Sequence, residues 1–158
     1  MKRIVLSAFV ALTVLAFLVA CGASEAPAGS GRTQTLTILS PKDGDTLNNP
    51  ITIKMAVTGV NLVPAQTPAA AGQGHLHLLI DTDIPPGGAV IPSAANYIHL
   101  GNGAAEATLP ALSPGPHRIT AVFADSNHKV TNPILAYSVN IIVPGPTAVP
   151  PKPGTKYP

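Results

Sequence analysis

The chain has 158 residues, with nine Lys and Arg against seven Asp and Glu and a single cysteine. One cysteine excludes an intrachain disulfide and any cluster of thiolate metal ligands. No run of Lys or Arg is dense enough for the electrostatic footprint that nucleic acid or an anionic surface requires.

Met1–Cys21 comes first in the chain and sets its expected address. Lys2 and Arg3 form a short basic region, and Ile4 to Ala20 is an apolar run interrupted only by Ser7 and Thr13. That is the layout of a secretory signal. Its ending, Leu18-Val19-Ala20-Cys21, resembles a bacterial lipobox, in which the cysteine is acylated and becomes the first residue. A retained spanning helix needs about 20 apolar residues, and this run is slightly short with no basic flank after it. Cleavage after Ala20 without acylation would leave an unpaired exported cysteine. The expectation is therefore a signal peptide over residues 1–20 and lipidation at Cys21, because two acyl chains hold a protein stably on a membrane where one does not. Gly22 rather than aspartate follows the cysteine. The usual inner-membrane retention signal is thus missing, and the predicted location is extracytoplasmic, as a cell-membrane or outer-membrane lipoprotein.

Without Lys2 and Arg3 the basic and acidic residues number seven each, so the exported portion is near neutral. Residues 21–33 are rich in Gly, Ala, Ser and Pro and read as a flexible tether. Residues 144–158 (PGPTAVPPKPGTKYP) are too dense in proline to pair in a sheet and read as a disordered or polyproline II tail. Between them, residues 34–143 suffice for one domain with one core.

Within that stretch the strand signals recur at short spacing. Leu36–Leu39 is the first, followed by the break Ser40-Pro41-Lys42-Asp43-Gly44-Asp45. Ile51, Ile53, Met55 and Val57 then alternate with Thr52, Lys54 and Ala56, predicting one buried and one wetter face. Gly59 to Gly74 has no periodicity and reads as a loop. His75–Asp81 (HLHLLID), Tyr97–Leu100, Ala105–Leu109, Pro116–Ala124 and Ile134–Val143 complete the series. About seven short strands and no helical stripe outside the signal predict an all-β fold, an immunoglobulin-like antiparallel β-sandwich. In such sandwiches a turn often leads into a strand whose first inward ring bonds the backbone at a corner. His117 takes that place after Leu112-Ser113-Pro114-Gly115-Pro116, with Ile119, Ala121 and Phe123 on the same face.

All five histidines fall in the predicted domain: His75, His77, His99, His117 and His128. His75 and His77 lie two apart on one strand, so they share a face about 6.6 Å apart at the backbone, with Leu76, Leu78 and Ile80 facing the core. Two imidazoles at that spacing can converge on one ion, with His99 and His128 as further ligands. An all-nitrogen set suits Cu(II), Zn(II) or Ni(II). Lys129, beside His128, counts against a cation there. Asp81 and Asp83 close the histidine strand and are expected to bond nearby N–H groups in a turn, since calcium would need more oxygen ligands.

The segments Ser40-Pro41-Lys42-Asp43-Gly44, Gly74-His75-Leu76-His77-Leu78-Leu79-Ile80-Asp81-Thr82-Asp83, His99-Leu100-Gly101-Asn102-Gly103, Leu112–His117 and Asp125-Ser126-Asn127-His128 together resemble domain-of-unknown-function family 4399. The resemblance runs from about Leu36 to Val143. It implies an exported domain, often lipid-anchored or periplasmic, and supplies no reaction. The five histidines match histidine positions of that pattern. Where the family commonly carries a further histidine between the first two, this chain has Leu76.

Catalysis is not expected. Ser113 and Ser126 lack the strand-to-helix elbow of a nucleophile, and Glu106, the glutamate of the predicted domain, has no placement as a general base. Two non-enzymatic functions stay open. One is a lipid-anchored domain that binds copper or zinc through His75, His77, His99 and His128. The other is a structural or protein-binding envelope module whose histidines form a buried hydrogen-bond network, with an envelope protein as partner.

Overall fold

The computed structural model describes residues 33–146. The signal, Cys21, nearly all of the tether and the tail from residue 147 lie outside the described residues. Eight strands follow in order: β1 Thr35–Ser40, β2 Thr52–Thr58, β3 Asn61–Leu62, β4 Gln73–Ile80, β5 Tyr97–Leu100, β6 Glu106–Thr108, β7 Gly115–Asp125 and β8 Ala136–Val143. They form a three-stranded sheet, β1-β2-β6, and a five-stranded sheet, β3-β4-β7-β8, in which β5 also pairs with β4. All pairings are antiparallel except the short β3–β4 contact. The chain is an all-β sandwich, as its alternating runs predict.

The alternation explains the sandwich. Ile53 and Met55 of β2 and Leu36 and Ile38 of β1 face Leu76, Leu78, Ile80, Ile119, Ala121, Phe123, Val139 and Ile141 of the larger sheet in one buried cluster. Each such aliphatic side chain taken from water contributes about 1.5–3 kcal/mol. The seven predicted strands are joined by an eighth, β3. It lies inside the segment read as a loop and pairs in parallel through Asn61–Gln73 and Leu62–Gly74. Two residues carry no periodicity, so the sequence offers no sign of it.

One feature departs from a simple two-layer plan. Leu79, Ile91, Val122, Ala124 and Val130 form a second buried cluster, with Ile84, Tyr97 and Ala136 packed against it. Leu79, Val122 and Ala124 project from the outer face of β4 and β7, and the connection between β4 and β5 supplies Ile84 and Ile91. The outer face of β4 and the adjoining part of β7 is therefore roofed rather than wet. β4 is buried at every position from Gly74 to Ile80. At Gly74 a Cβ would lie 2.0 Å from the carbonyl oxygen of Ala124, so only glycine allows β4 and β7 to approach this closely just before His75.

Candidate metal centre

His75 and His77 stand on the outer face of β4, opposite Ala124 and Val122 of β7. His77 is also directly paired with His99 of β5, which places those two side chains on one face as cross-strand neighbours. His128 comes from the turn that follows β7. There Asp125 Oδ1 accepts the N–H groups of Asn127 (2.8 Å) and Lys129 (2.9 Å), the local bonding expected of an aspartate in a turn. The His128 N–H bonds Asp125 O at 2.9 Å, and His128 O accepts the Ile91 N–H at 2.8 Å. His128 is left at φ +62°, a left-handed conformation uncommon outside glycine. The roof over the outer face thus fixes the turn that presents the fourth ring.

The four rings meet. One ligand atom from each of His75, His77, His99 and His128 lies within 4.8 Å of every other. The ring-centroid separations are 5.0 Å for 75–77, 4.8 Å for 75–99 and 75–128, 5.0 Å for 77–99, 5.7 Å for 77–128 and 4.8 Å for 99–128. His75 and His77 are buried, at 0% and 3% exposure, whereas His128 is half-buried and His99 exposed. A cavity of about 140 Å³ lined by His77, Ile91, Pro92, Ser93, Tyr97, His99 and His128 opens beside the cluster, giving an ion a route in.

Bonding within the cluster separates the two functions left open by the sequence. Nδ1 and Nε2 of both His75 and His77 are buried and have no hydrogen-bond partner. The one bond between cluster rings joins His128 Nε2 and His99 Nε2 at 3.2 Å. A buried network requires its polar atoms to be paired, and here four ring nitrogens are not. One nitrogen from each of the four rings lies close enough to the others to hold a metal ion.

The electrostatics point the same way. Burial pushes the His75 ring down to about 4, helped by His99 and His128 and opposed by Asp125. Burial, and then the other three rings, push His77 down to about 3. Burial and His128 lower His99 as well. At neutral pH these rings carry free lone pairs, the form a metal requires.

His117 lies apart from the cluster. It donates from Nδ1 to Asp81 Oδ2 at 2.6 Å and from Nε2 to the Ser113 carbonyl at 2.8 Å. A ring donating from both nitrogens is the protonated ring. The bond to Asp81, then that to Ser113, accordingly raises the His117 pKa. The turn-cap expectation for the aspartates is corrected. Asp81 Oδ1 accepts the N–H of Arg118 on β7 at 2.7 Å, and Asp83 pairs with the Arg118 guanidinium at 2.7 Å. Both tie the end of β4 to a neighbouring strand instead of bonding their own turn, because β4 and β7 are in register up to Ile80–Ile119. Burial alone would raise the Asp81 carboxyl, but the bonds from His117 and Arg118 hold it below its ordinary range.

This pair has a pH window. The His117 contribution is complete below its unfolded pKa of 6.5 and is lost as pH rises through the raised folded value. The Asp81 contribution is present above 3.8 and is lost as pH falls through the lowered one. His117→Ala should therefore destabilise the protein more near about pH 5.5 than near about pH 8.5 in urea melts. Equal losses at both would show that the ring is not charged in the fold.

Lys129 does not line the cavity beside the cluster. It lines a separate cavity of about 630 Å³ with Gln34, Gln73, Thr131 and Asn132. Glu106 is on β6 of the smaller sheet, 3.8 Å from Lys54. Sequence reasoning missed Gly101, where a Cβ would lie 2.3 Å from Cε1 of His99 and 2.8 Å from its Nε2.

The family model described as "Domain of unknown function (DUF4399)" matches residues 53–144. The chain belongs to this family. The match includes β4, β5 and the His128 turn in full, so the DUF4399 domain contains every histidine of the cluster. No curated protein matches the chain. Among solved structures, a crystal structure of an engineered protein from the Northeast Structural Genomics Consortium is similar at 15% identity, covering 70% of this chain and 20% of that one, with a TM-score of 0.42. The chain spans about a fifth of that engineered protein, and at this score the likeness carries no argument.

Proposed function

We propose that this DUF4399 protein is a lipid-anchored, extracytoplasmic, non-catalytic metal-binding domain that holds one copper or zinc ion through His75, His77, His99 and His128. The observation that carries the proposal is the meeting of four rings, each offering one ligand nitrogen within 4.8 Å of the others, with the ring nitrogens of His75 and His77 buried and unpartnered. Four imidazoles suit first-row transition ions and offer nothing to calcium or magnesium, which take oxygen ligands. A set of four protein ligands leaves no open position for a substrate, the hallmark of a holding site rather than a hydrolytic one. The lipobox-like Leu18–Cys21 supports export and anchoring, and with them contact with other envelope proteins.

One preparation tests both halves. The full chain, extracted from bacterial membranes in detergent, should carry acyl chains on Cys21 by intact mass. Its melting temperature should rise with one equivalent of Zn(II) or Cu(II). At a free ion concentration about 1,000 times Kd the gain is about 4 kcal/mol, or about 15 °C for a domain of this size. Melting curves unmoved by either ion would refute metal binding, and an unmodified cysteine would refute the anchor.

A further inference from the structure

The disposition of the four rings carries information about which ion they take. Six nearly equal separations among four points define a tetrahedron, and the six centroid distances here run only from 4.8 to 5.7 Å. With metal–nitrogen bonds of 2.0–2.1 Å, tetrahedral ligation would place ring centroids about 5.2 Å apart in every pair, whereas a square plane would place four pairs about 4.5 Å apart and two opposite pairs about 6.4 Å apart. The longest separation, 5.7 Å for 77–128, falls short of that diagonal, and the opposite pair, 75–99, is among the shortest at 4.8 Å, where a square would make both long. The 3.2 Å between Nε2 of His128 and Nε2 of His99 also lies near the edge of about 3.3 Å that tetrahedral bonds of this length define.

The scaffold holds this shape. His75 and His77 project from one strand, and His99 stands beside His77 on the next, so these three span the plane of the sheet. A fourth ring from that sheet would complete a square. His128 instead arrives from the turn above, held by Asp125 and Ile91, and lies 4.8 Å from both His75 and His99. Flattening the set would require moving this turn, which is hydrogen-bonded to the end of β7 on one side and to the roof on the other.

We infer that the centre is a tetrahedral four-imidazole site matched to zinc(II), and mismatched to the tetragonal geometry of Cu(II) and Ni(II). The inference rests on the metal-centre reading above and narrows it. Zinc has no geometric preference of its own and accepts the tetrahedron without cost. Ni(II) must either distort the roof or accept an unfavourable geometry.

Cobalt(II) reports the coordination directly. Full-length protein in detergent, loaded with one equivalent of Co(II), should show the intense visible bands of tetrahedral cobalt in place of the weak bands of a six-coordinate ion. In competition dialysis against equal Zn(II) and Ni(II), the protein should retain zinc over nickel by at least about tenfold, an energy difference of about 1.4 kcal/mol. A weak six-coordinate cobalt spectrum, or preferential retention of nickel, would overturn the tetrahedral assignment while leaving metal binding intact. Failure of all three ions to bind would remove the metal centre and the assignment together.

Discussion

Replacing His75 and His77 together by leucine is expected to abolish transition-metal binding and, in the same protein, to raise the stability of the metal-free form by about 2 kcal/mol. The two effects have one cause. Both rings are buried, and their four nitrogens find no partner in the protein. A buried polar group without a partner costs about 1–3 kcal/mol, while leucine of similar volume would join Leu79, Val122 and Ala124 in the outer cluster. The cavity beside His77 leaves room for the change in shape. Chelator-treated wild type and variant, compared in urea melts, give the stability difference, and equilibrium dialysis with Zn(II) gives the binding. A variant less stable than the metal-free wild type would mean that the rings are bonded in the native state, which is the network alternative. Sites that trade stability for activity behave in the predicted way.

Gly101→Ala is expected to weaken metal binding by roughly 10–100-fold although residue 101 touches no ion. The added methyl would sit 2.3 Å from Cε1, 2.8 Å from Nε2 and 3.0 Å from Nδ1 of His99, closer than non-bonded atoms approach. Two outcomes relieve the clash, and the cheaper is rotation of the ring. His99 is exposed, so its imidazole can swing into solvent with little cost to the fold, leaving three ligands. The melting temperature without metal should therefore stay near that of wild type, and zinc affinity in competition with a chromophoric chelator should fall. An unchanged affinity would exclude His99 from the ligand set. His99→Ala in the Gly101→Ala background should add nothing further, since one ring cannot be lost twice.

The strands and inner core were legible because their signal is local. Ile51 to Val57 alternates cleanly, and Leu76, Leu78 and Ile80 face the core as their spacing requires. The same alternation is silent about the opposite face. HLHLLI leaves open whether the histidine side is wet or buried, and it is roofed by the connection carrying Ile84 and Ile91. Nothing in the strand itself records that cover. His128 was nameable as a ligand but not placeable, because its position depends on β4 and β7 pairing from Gly74–Asp125 onward. Asp81 was misread for the same reason: its partners, His117 and Arg118, are distant in sequence, and turn chemistry considers only neighbours. Gly101 falls in the His99–Gly103 segment of the family pattern, but its role has no sign in the sequence, since its importance is the space taken by another residue's ring.

The ligands come from β4, β5 and the turn after β7, so a single ion would join chain positions from residue 75 to residue 128. In a chain with one cysteine, such an ion would tie distant chain positions together as a disulfide does elsewhere, though by binding the folded state rather than by constraining the unfolded one. Unlike a disulfide, this staple comes undone whenever the surrounding fluid runs short of metal. Occupancy would then set how long each copy survives proteases, and the population of the protein would track the supply of such an ion.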